Sequence, residues 1–396
     1  MIEFGTTKIF TDNIDEKALD QLKELDSTGV FGGQPVRIMP DVHAGAGCVI
    51  GFTAPIADKI IPNLVGVDIG CGMLCVYLGK RDIDYSALDS VIRKHVPSGR
   101  NVGEPTQEAS ALIDELRCAN KLSDRTWLNS SLGSLGGGNH FIEVDEDDEG
   151  GKYLVVHSGS RNLGKQVAEL YQGIAVRECS GRPINEIIAE LKAQGKEREI
   201  QSAVTARKNA APKLPKELCY VSGKAMEDYL YDMAVCTRFA DLNRKRMADA
   251  VILNCGLSSD VDYAQNNGFT TRHNYIGEDG YIRKGAISAK KDERVLIPLN
   301  MRDGCIVGIG KGNPDWNYSA PHGAGRVMSR MQARAKLDVS DFKATMKNVY
   351  STTVDASTID ESPFAYKPSE QIIELVRDTV DIERIIKPVY NYKASE

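Results

Sequence analysis

The stretch VGVDIGCGMLCVYL, Val65–Leu78, joins a glycine-rich turn to an apolar run. The same combination recurs further along the chain: SLGSLGGGNHFIEV is a glycine-rich loop that enters a strand, and KYLVVHSGSRNLG is a buried strand that ends in a polar loop before a helix. Three further stretches of strand and glycine turn are TKIFTD, PVRIMPDVH and GCVIGFTAPI. Because the polar loops come from widely separated parts of the chain, we expect them to converge on one site.

Helical patterns occupy the segments between these strands. Ala18, Leu19, Leu22 and Leu25 recur at helical spacing and predict a short helix near Asp15–Leu25. Further helices are predicted around Ser86–Lys94, Thr106–Cys118 and Met226–Asp249, and after His322, with strands again over Tyr275–Gly312. No linker separates these blocks. The predicted fold class is α+β: one large mixed domain over residues 1–396, with central β-sheets flanked by helices and a mostly helical stretch at about 183–250.

Composition is that of an ordinary globular protein, with 42% hydrophobic and 26% charged residues among 396. The net charge of −6 argues against a general polyanion-binding surface but leaves room for a local basic groove. No run of 18 apolar residues and no secretory signal is present, so neither a membrane span nor export is expected. Nine cysteines without a framework spacing fit a reducing cytoplasm.

Histidines are placed unusually. Five of the six lie in glycine-rich or polar loops: His43, His140, His157, His273 and His322. In DIGCG, a tight turn can direct Asp68 and Cys71 to the same point. A plausible metal-ligand set is therefore Asp68, Cys71, His140, His157 and His273. Five ligands exceed a closed tetrahedral zinc site, and a shared Cys71 sulfur could bridge two ions. The donor set does not choose among Mn, Co and Zn.

Two of these histidines remain open to more than one role. His322 follows Pro321 and precedes two glycines, so the backbone there can approach a ligand closely. A neutral imidazole can attack phosphorus, and a helix beginning near Arg326 would carry a basic stripe of Arg326, Arg330 and Arg334. We favour a nucleophile at His322; a metal ligand or a general acid are the alternatives. Asp41 and His43 either orient a ligand or form a structural turn.

Six motifs in order resemble the RtcB family of RNA ligases. They are MPDVHAGAG, VGVDIGCGM, SLGGGNHFIEV, VHSGSRNLG, RKGA and SAPHGAGRVMSR, and the resemblance runs from about Ile38 to Lys393. It implies a GTP- and Mn²⁺-dependent ligase, with two ions, that joins RNA 2′,3′-cyclic phosphate or 3′-phosphate ends to 5′-hydroxyl ends. It also implies a metal and nucleotide cleft, and a role in RNA repair is expected. The family's five metal ligands match the set proposed above, and its guanylylated histidine matches His322.

The resemblance also implies which residues contact the nucleotide. They are Asn139, His140, Phe141, Ile142, Glu143, His273, Asn274, Pro298, Leu299, Asn300, Met301, Cys305, His322, Gly323, Ala324, Gly325, Tyr366 and Lys393. Glu143 is suited to the N1–H and N2–H edge of guanine, and Lys393 to O6. A basic run could follow the RNA backbone or be a solvated face: Arg283, Lys284, Lys290, Lys291 and Arg294.

One loop departs from the family pattern. PLNMRDGC has Leu299 where glycine is usual and Cys305 near the position of a small hydroxyl residue. Leucine is less permissive than glycine, and a thiol is a poorer donor than a hydroxyl, so nucleotide affinity or end preference is expected to differ. Two other functions are compatible with the same residues. One is a metallophosphoesterase that acts on RNA ends without GTP, and the other is a non-catalytic RNA-binding paralogue.

Overall fold

The computed structural model describes residues 1–181, 184–210, 214–257 and 268–394. Within these ranges the strands of the first part are β1 (Ile2–Phe4), β2 (Thr7–Ile9), β3 (Val36–His43), β4 (Ile50–Pro55), β5 (Lys59–Ile60), β6 (Gly72–Lys80), β7 (Phe141–Glu146), β8 (Gly151–Ser158) and β9 (Val221–Ser222). The later strands are β10 (Gly268–Arg272), β11 (Asn274–Ile276), β12 (Tyr281–Lys284), β13 (Ala286–Ser288), β14 (Arg294–Asn300), β15 (Gly304–Gly310), β16 (Ser319–Pro321) and β17 (Val380–Lys393).

The helices lie mainly between β6 and β10. They are α1 (Glu16–Ser27), α2 (Tyr85–His95), α3 (Gln107–Glu115), α4 (Arg125–Ser130), α5 (Arg161–Ser180), α6 (Ile184–Ala193), α7 (Ile200–Ala210), α8 (Gly223–Asn254), α9 (Arg330–Lys336), α10 (Val339–Thr345) and α11 (Ser369–Leu375). The predicted helical stretch at about 183–250 thus holds α6, α7 and α8, while its first residue, Pro183, and part of its proline-bearing interruption, residues 211–213, lie outside the described ranges.

A seven-stranded antiparallel sheet forms the centre of the fold, in the order β10-β6-β8-β7-β17-β15-β14. Its two end strands approach each other, and the Arg294 guanidinium of β14 lies 4.4 Å from the centre of the Phe269 ring of β10. The sheet is therefore nearly closed around an interior. Alternation along β7 sends Phe141 into this interior, where Cys75 and Val155 also lie, and sends Ile142 to the outer face.

The outer face of this sheet is covered by helices. Apolar residues of α2 and α8, such as Ile92 and Val251, pack against Val76, Ile142 and Val156. A second sheet of six strands, β1-β2-β3-β4-β12-β11, packs with α1, α5 and α8 around the largest core. These layers confirm the predicted α+β class with central sheets flanked by helices. None of the helices in the described ranges has the length and apolar character needed to cross a bilayer.

The predicted helix start near Arg326 is wrong. Helix α9 begins at Arg330, where the Ser329 side chain and Gln332 form a capping box. Arg326 instead pairs with Tyr366 in an isolated β-bridge, which keeps the chain extended at that point. Arg326 therefore does not share a helix face with Arg330 and Arg334.

Candidate metal and nucleotide site

The polar loops meet at one edge of the seven-stranded sheet. Cys71 immediately precedes β6, His140 immediately precedes β7, and His157 lies near the end of β8. Antiparallel pairing puts the start of one strand beside the end of its neighbour, so Met73 and Phe141 both pair with His157. His273 follows β10, whose last residue pairs with Gly72. The sheet register thus brings together side chains that are far apart in sequence.

Cys71 lies at the centre of this cluster. Its Sγ is 3.5 Å from Nε2 of His140 and 3.3 Å from Nε2 of His157. Nε2 of His140 is also 3.0 Å from Oδ2 of Asp68. Two groups of donor atoms result, Cys71–His157–His273 and Asp68–Cys71–His140, and the atoms of each group lie within 4.8 Å of one another. Cys71 belongs to both groups, as a bridging thiolate requires.

The cluster fits a divalent metal. Nδ1 of His140 donates to Leu135 O at 2.9 Å, and Nδ1 of His157 donates to Asn139 O at 3.1 Å, so both Nε2 atoms keep a lone pair. Nδ1 of His273 is buried without a partner among the described residues. Burial, followed by neighbouring imidazoles, holds the pKa of His157 and of His273 well below the usual value, which favours the neutral form that binds metals.

Helix α8 fixes the two loops that carry the ligands. Its fully buried Arg244 donates from Nη1 to Gly70 O at 2.9 Å and to Ser158 O at 2.7 Å. The neighbouring Asn243 binds the backbone of Ser134 and Gly159. Neither residue was predicted to belong to the site, because a polar pair inside an amphipathic helix gives no sign of what it faces.

His322 is oriented by Asp41. Nδ1 of His322 donates to Oδ2 of the fully buried Asp41 at 2.7 Å, and the backbone N–H groups of His322 and Gly323 donate to the same oxygen at 3.2 Å. Nε2 of His322 therefore carries the free lone pair. The ring centre of His322 is 4.8 Å from that of His273, so this lone pair is beside the ligand cluster.

Two glycines make this arrangement possible. Gly325 has φ +76°, and a Cβ there would lie 2.3 Å from Asp41 O. Gly285, in RKGA, has φ +62°, and a Cβ there would lie 2.1 Å from Cγ2 of Ile50 and 3.2 Å from Cε1 of His322. Glycine is thus needed at both positions for the backbone to approach Asp41 and His322.

A cleft of about 300 Å³, partly open to solvent, extends from the cluster. It is lined by most of the residues predicted to contact a nucleotide: Asn139, Phe141, Glu143, His273, Asn274, Pro298, Leu299, Asn300, Met301, His322, Gly323, Ala324, Gly325, Tyr366 and Lys393. Asp68, Cys71 and His157 also line it. His140 lies in the ligand cluster behind the wall. Ile142 points to the outer core and Cys305 lies in the sheet interior, so neither side chain lines the cleft.

A buried ionic network forms part of the cleft wall. Nζ of Lys393 is 2.8 Å from Oε2 of Glu361, which also accepts from the Tyr366 hydroxyl at 2.6 Å. Arg326 is 3.1 Å from Oε1 of the same carboxylate. Glu361 was not predicted to belong to the site, since it lies in a polar stretch without a motif. Its network holds Lys393 and Tyr366 at the cleft wall.

The basic run that was predicted to follow an RNA backbone contains both buried and exposed residues. Arg283 and Lys284 are buried, and Nζ of Lys284 donates to Ala46 O at 2.7 Å and Cys48 O at 3.0 Å. These two residues cannot follow an RNA backbone, which corrects the expectation for them. Three members remain exposed: Lys290, Lys291 and Arg294.

Comparison with known proteins agrees with this geometry. The family model described as tRNA-splicing ligase RtcB matches residues 21–121 and 112–394. RNA-splicing ligase RtcB of Escherichia coli (strain K12) is 30% identical over 424 residues, which covers 98% of this chain and 97% of that protein. tRNA-splicing ligase RtcB of Aeropyrum pernix is 27% identical, over 88% of this chain and 85% of that protein. With its six motifs gathered around one cleft, the chain belongs to the RtcB family.

Proposed function

We propose that the protein is a GTP- and Mn²⁺-dependent RNA ligase in which His322 carries GMP. Its substrates would be RNA with a 2′,3′-cyclic phosphate or 3′-phosphate end and RNA with a 5′-hydroxyl end. The observation that carries the proposal is the pair His322–Asp41, which leaves Nε2 of His322 free beside a ligand cluster. Family membership and the printed activity of the relatives support the ligase assignment.

His322 acts first in the proposed reaction. Its Nε2 attacks the α-phosphorus of GTP, a P–N bond forms, and pyrophosphate leaves. Asp41 keeps the proton on Nδ1 and stabilises the positive charge that develops on the ring. Divalent ions held by the Cys71 cluster would supply positive charge to the phosphates.

The remaining steps transfer and release GMP. An RNA 3′-phosphate oxygen attacks the phosphorus on His322, so GMP moves to the RNA end and Nε2 regains its lone pair. A 2′,3′-cyclic phosphate must first be hydrolysed to the 3′-phosphate. The 5′-hydroxyl then attacks the activated 3′-phosphate, and GMP leaves. Within the cleft, the Glu143 carboxylate and Lys393 are suited to guanine.

Labelling with α-³²P GTP and Mn²⁺ tests this proposal. The wild type should acquire a label that is labile in acid and stable in alkali, as a phosphoramidate is. His322→Ala should lose the label, retain its metal content, and still seal an RNA that carries a preformed 3′-guanylylated end. His95→Ala is the matched control, because His95 ends α2 and does not line the cleft.

The same experiment separates the alternative functions. A metallophosphoesterase would release phosphate from RNA ends without GTP, and its wild type would not be labelled. A non-catalytic RNA-binding paralogue would bind RNA ends and change none of them. Loss of metal in His322→Ala would make His322 a ligand. Persistent labelling of that variant would move the nucleophile to another histidine, and His43, which also lines the cleft, would be tested first.

A cytoplasmic setting is part of the proposal. It is supported by the nine cysteines, all of which are free thiols.

A further inference from the structure

A second group of potential ligands lies inside the seven-stranded sheet, behind the wall of the cleft. Glu143 and Asp145 project inward from β7, and Cys305 projects inward from β15. Their donor atoms lie within 4.8 Å of one another, and the three side chains are 2%, 0% and 0% exposed. None of these residues belongs to the Cys71 cluster.

The Asp145 carboxyl group lies beside the Cys305 thiol in this interior. Neither of its carboxylate oxygens has a hydrogen-bond partner among the described residues. The Cys305 thiol donates to Oε1 of Glu143 at 3.5 Å, and Nδ2 of Asn391 donates to Oε2 of Glu143 at 2.8 Å. Oδ1 of Asn391 is also buried without a partner. Buried polar groups are nearly always paired, so two unsatisfied carboxylate oxygens indicate a missing ligand.

The interior also lacks a counterion within the described part of the chain. No lysine or arginine there forms an ion pair with Asp145, and Lys393, whose charge acts on Glu143, is engaged with Glu361 at 2.8 Å. Burial raises the pKa of Asp145 well above its usual value, and the neighbouring Glu143 raises it further. Two carboxyl groups and a thiol thus share a buried space in which no described lysine or arginine pairs with Asp145.

We infer that Glu143, Asp145 and Cys305 bind a thiophilic divalent cation of the zinc type, at a site separate from the Cys71 cluster. A tetrahedral zinc ion separates oxygen and sulfur donors by about 3.5–3.7 Å, given its bond lengths. The Cys305–Glu143 separation of 3.5 Å already meets this requirement. A thiolate in the donor set favours zinc over magnesium or calcium. Oδ1 of Asn391 is the fourth candidate donor.

The ion would stiffen one wall of the cleft. Glu143 and Asn391 line the cleft, whereas Asp145 and Cys305 lie behind them. An ion at Asp145 and Cys305 would hold Glu143 ionised and fixed in position. The inference shares Glu143 with the proposed function, but metal content can be measured without GTP or RNA, so either can fail without the other.

Zinc binding in a Cys71→Ala background tests the inference, because that variant removes the thiolate of the main cluster. Metal-free protein is titrated with Zn²⁺ against a chromophoric chelator, and Co²⁺ is used to record the thiolate-to-metal charge-transfer band. Cys71→Ala should retain one tightly bound Zn²⁺ and the Co²⁺ band. Adding Cys305→Ser should remove the band. Adding either Cys305→Ser or Asp145→Asn should weaken Zn²⁺ binding at least about tenfold, since losing even a residue that only orients a ligand costs about 10- to 100-fold.

Cys75→Ala is the matched control, since Cys75 lies in the same interior but outside the three-residue group. It should leave both the tight Zn²⁺ and the Co²⁺ band in place. Asp145→Asn and Cys305→Ser preserve side-chain shape, and thermal unfolding checks that each variant is folded. A Cys71→Ala protein without tight Zn²⁺ or a Co²⁺ band would overturn the inference. The inference would also be overturned if neither Asp145→Asn nor Cys305→Ser changed the Zn²⁺ affinity of the Cys71→Ala protein.

Discussion

Asp41 accepts three N–H groups on a single carboxylate oxygen, and one of them is Nδ1–H of His322. Asp41 therefore favours the tautomer of His322 that carries its proton on Nδ1. Asp41→Asn should favour the other tautomer, because the amide can donate an N–H to Nδ1 and leave the proton on Nε2. We expect GMP transfer to His322 to slow at least about 100-fold, as in other catalytic sites where an acid fixes a histidine tautomer. Single-turnover labelling with GTP measures this rate.

The metal content of Asp41→Asn distinguishes a change of the His322 tautomer from damage to the metal site. Asp41 is not among the donors of the Cys71 cluster, so Asp41→Asn should bind the same number of ions as the wild type. Equal labelling rates for Asp41→Asn and wild type would contradict the orienting role.

Cys71 is the donor common to both ligand groups. Cys71→Ala removes the only sulfur from that cluster, and imidazoles with one carboxylate cannot replace a bridging thiolate. We expect loss of bound Mn²⁺ together with loss of labelling. Elemental analysis and single-turnover labelling measure the two losses, and Cys71→Ser, which keeps the size of the side chain, serves as a second variant. Two fully ligated ions in Cys71→Ala would contradict the bridging role.

Strand β14 carries Leu299 near its end, in the segment PLNMRDGC whose departure from the family pattern was expected from the sequence. Leu299 is buried against Ala324 and Tyr366 and lines the cleft, so its side chain occupies space beside the proposed nucleotide. Leu299→Gly should enlarge the cleft and add backbone freedom, which changes the apparent affinity for GTP by several-fold or shifts the preference between cyclic-phosphate and 3′-phosphate ends. Competition between the two RNA ends, and GTP titration, measure these changes.

Leu296→Ala is a useful comparison for that variant, because Leu296 lies on the same strand but packs in the sheet interior. It should lower stability without the same change in end preference. Identical substrate behaviour of Leu299→Gly and wild type would make Leu299 a packing difference only.

Helix α8 acts on the site through Arg244. Arg244→Met keeps much of the side-chain length but removes the hydrogen bonds to Gly70 O and Ser158 O, which hold the loops of Cys71 and His157. We expect metal affinity to fall about 10- to 100-fold, as when outer partners of ligands are removed. Breaking a buried charged network should also lower the free energy of unfolding, by about 3–5 kcal/mol.

Lys245→Met is the matched control, since Lys245 is exposed and pairs with Asp249 on the same helix. Metal titration and denaturant unfolding of both variants separate the two roles of Arg244. A variant that loses stability but keeps wild-type metal affinity would show that Arg244 supports the fold alone.

Sequence patterns predicted the fold class and most of the candidate site, but not the contacts between residues that are distant in the chain. Strands, glycine turns and the long helix could be predicted because each depends on local periodicity, and the histidines stood out because glycine-rich loops carry them. The start of α9 was not predictable, since the β-bridge between Arg326 and Tyr366 joins segments 40 residues apart. Glu361 and Arg244 were missed for the same reason: their partners are set by tertiary packing.

At the scale of the whole molecule, the Glu361 network joins the last strand, β17, to the segment that follows His322. Burial alone would raise the pKa of Glu361, but Lys393, Arg326 and Arg330 together outweigh it and lower the pKa to about 2. An unfolded glutamate titrates near pH 4.3, so the folded state holds the proton less tightly than the unfolded state. The network's contribution is therefore complete above about pH 4.5 and is lost as the pH falls towards 2.

Glu361→Gln tests whether the charge of this network stabilises the folded protein. The variant should be less stable than the wild type by about 2–3 kcal/mol near neutral pH, and the difference should shrink as the pH falls from about 4.5 to 2. Denaturant unfolding at a series of pH values measures both free energies. Glu374→Gln is the control, because Glu374 is exposed and its partner Arg377 lies on the surface. A stability difference between Glu361→Gln and wild type that stays constant from pH 6 to pH 2 would mean that Glu361 stabilises the fold by shape and hydrogen bonding alone, without its charge.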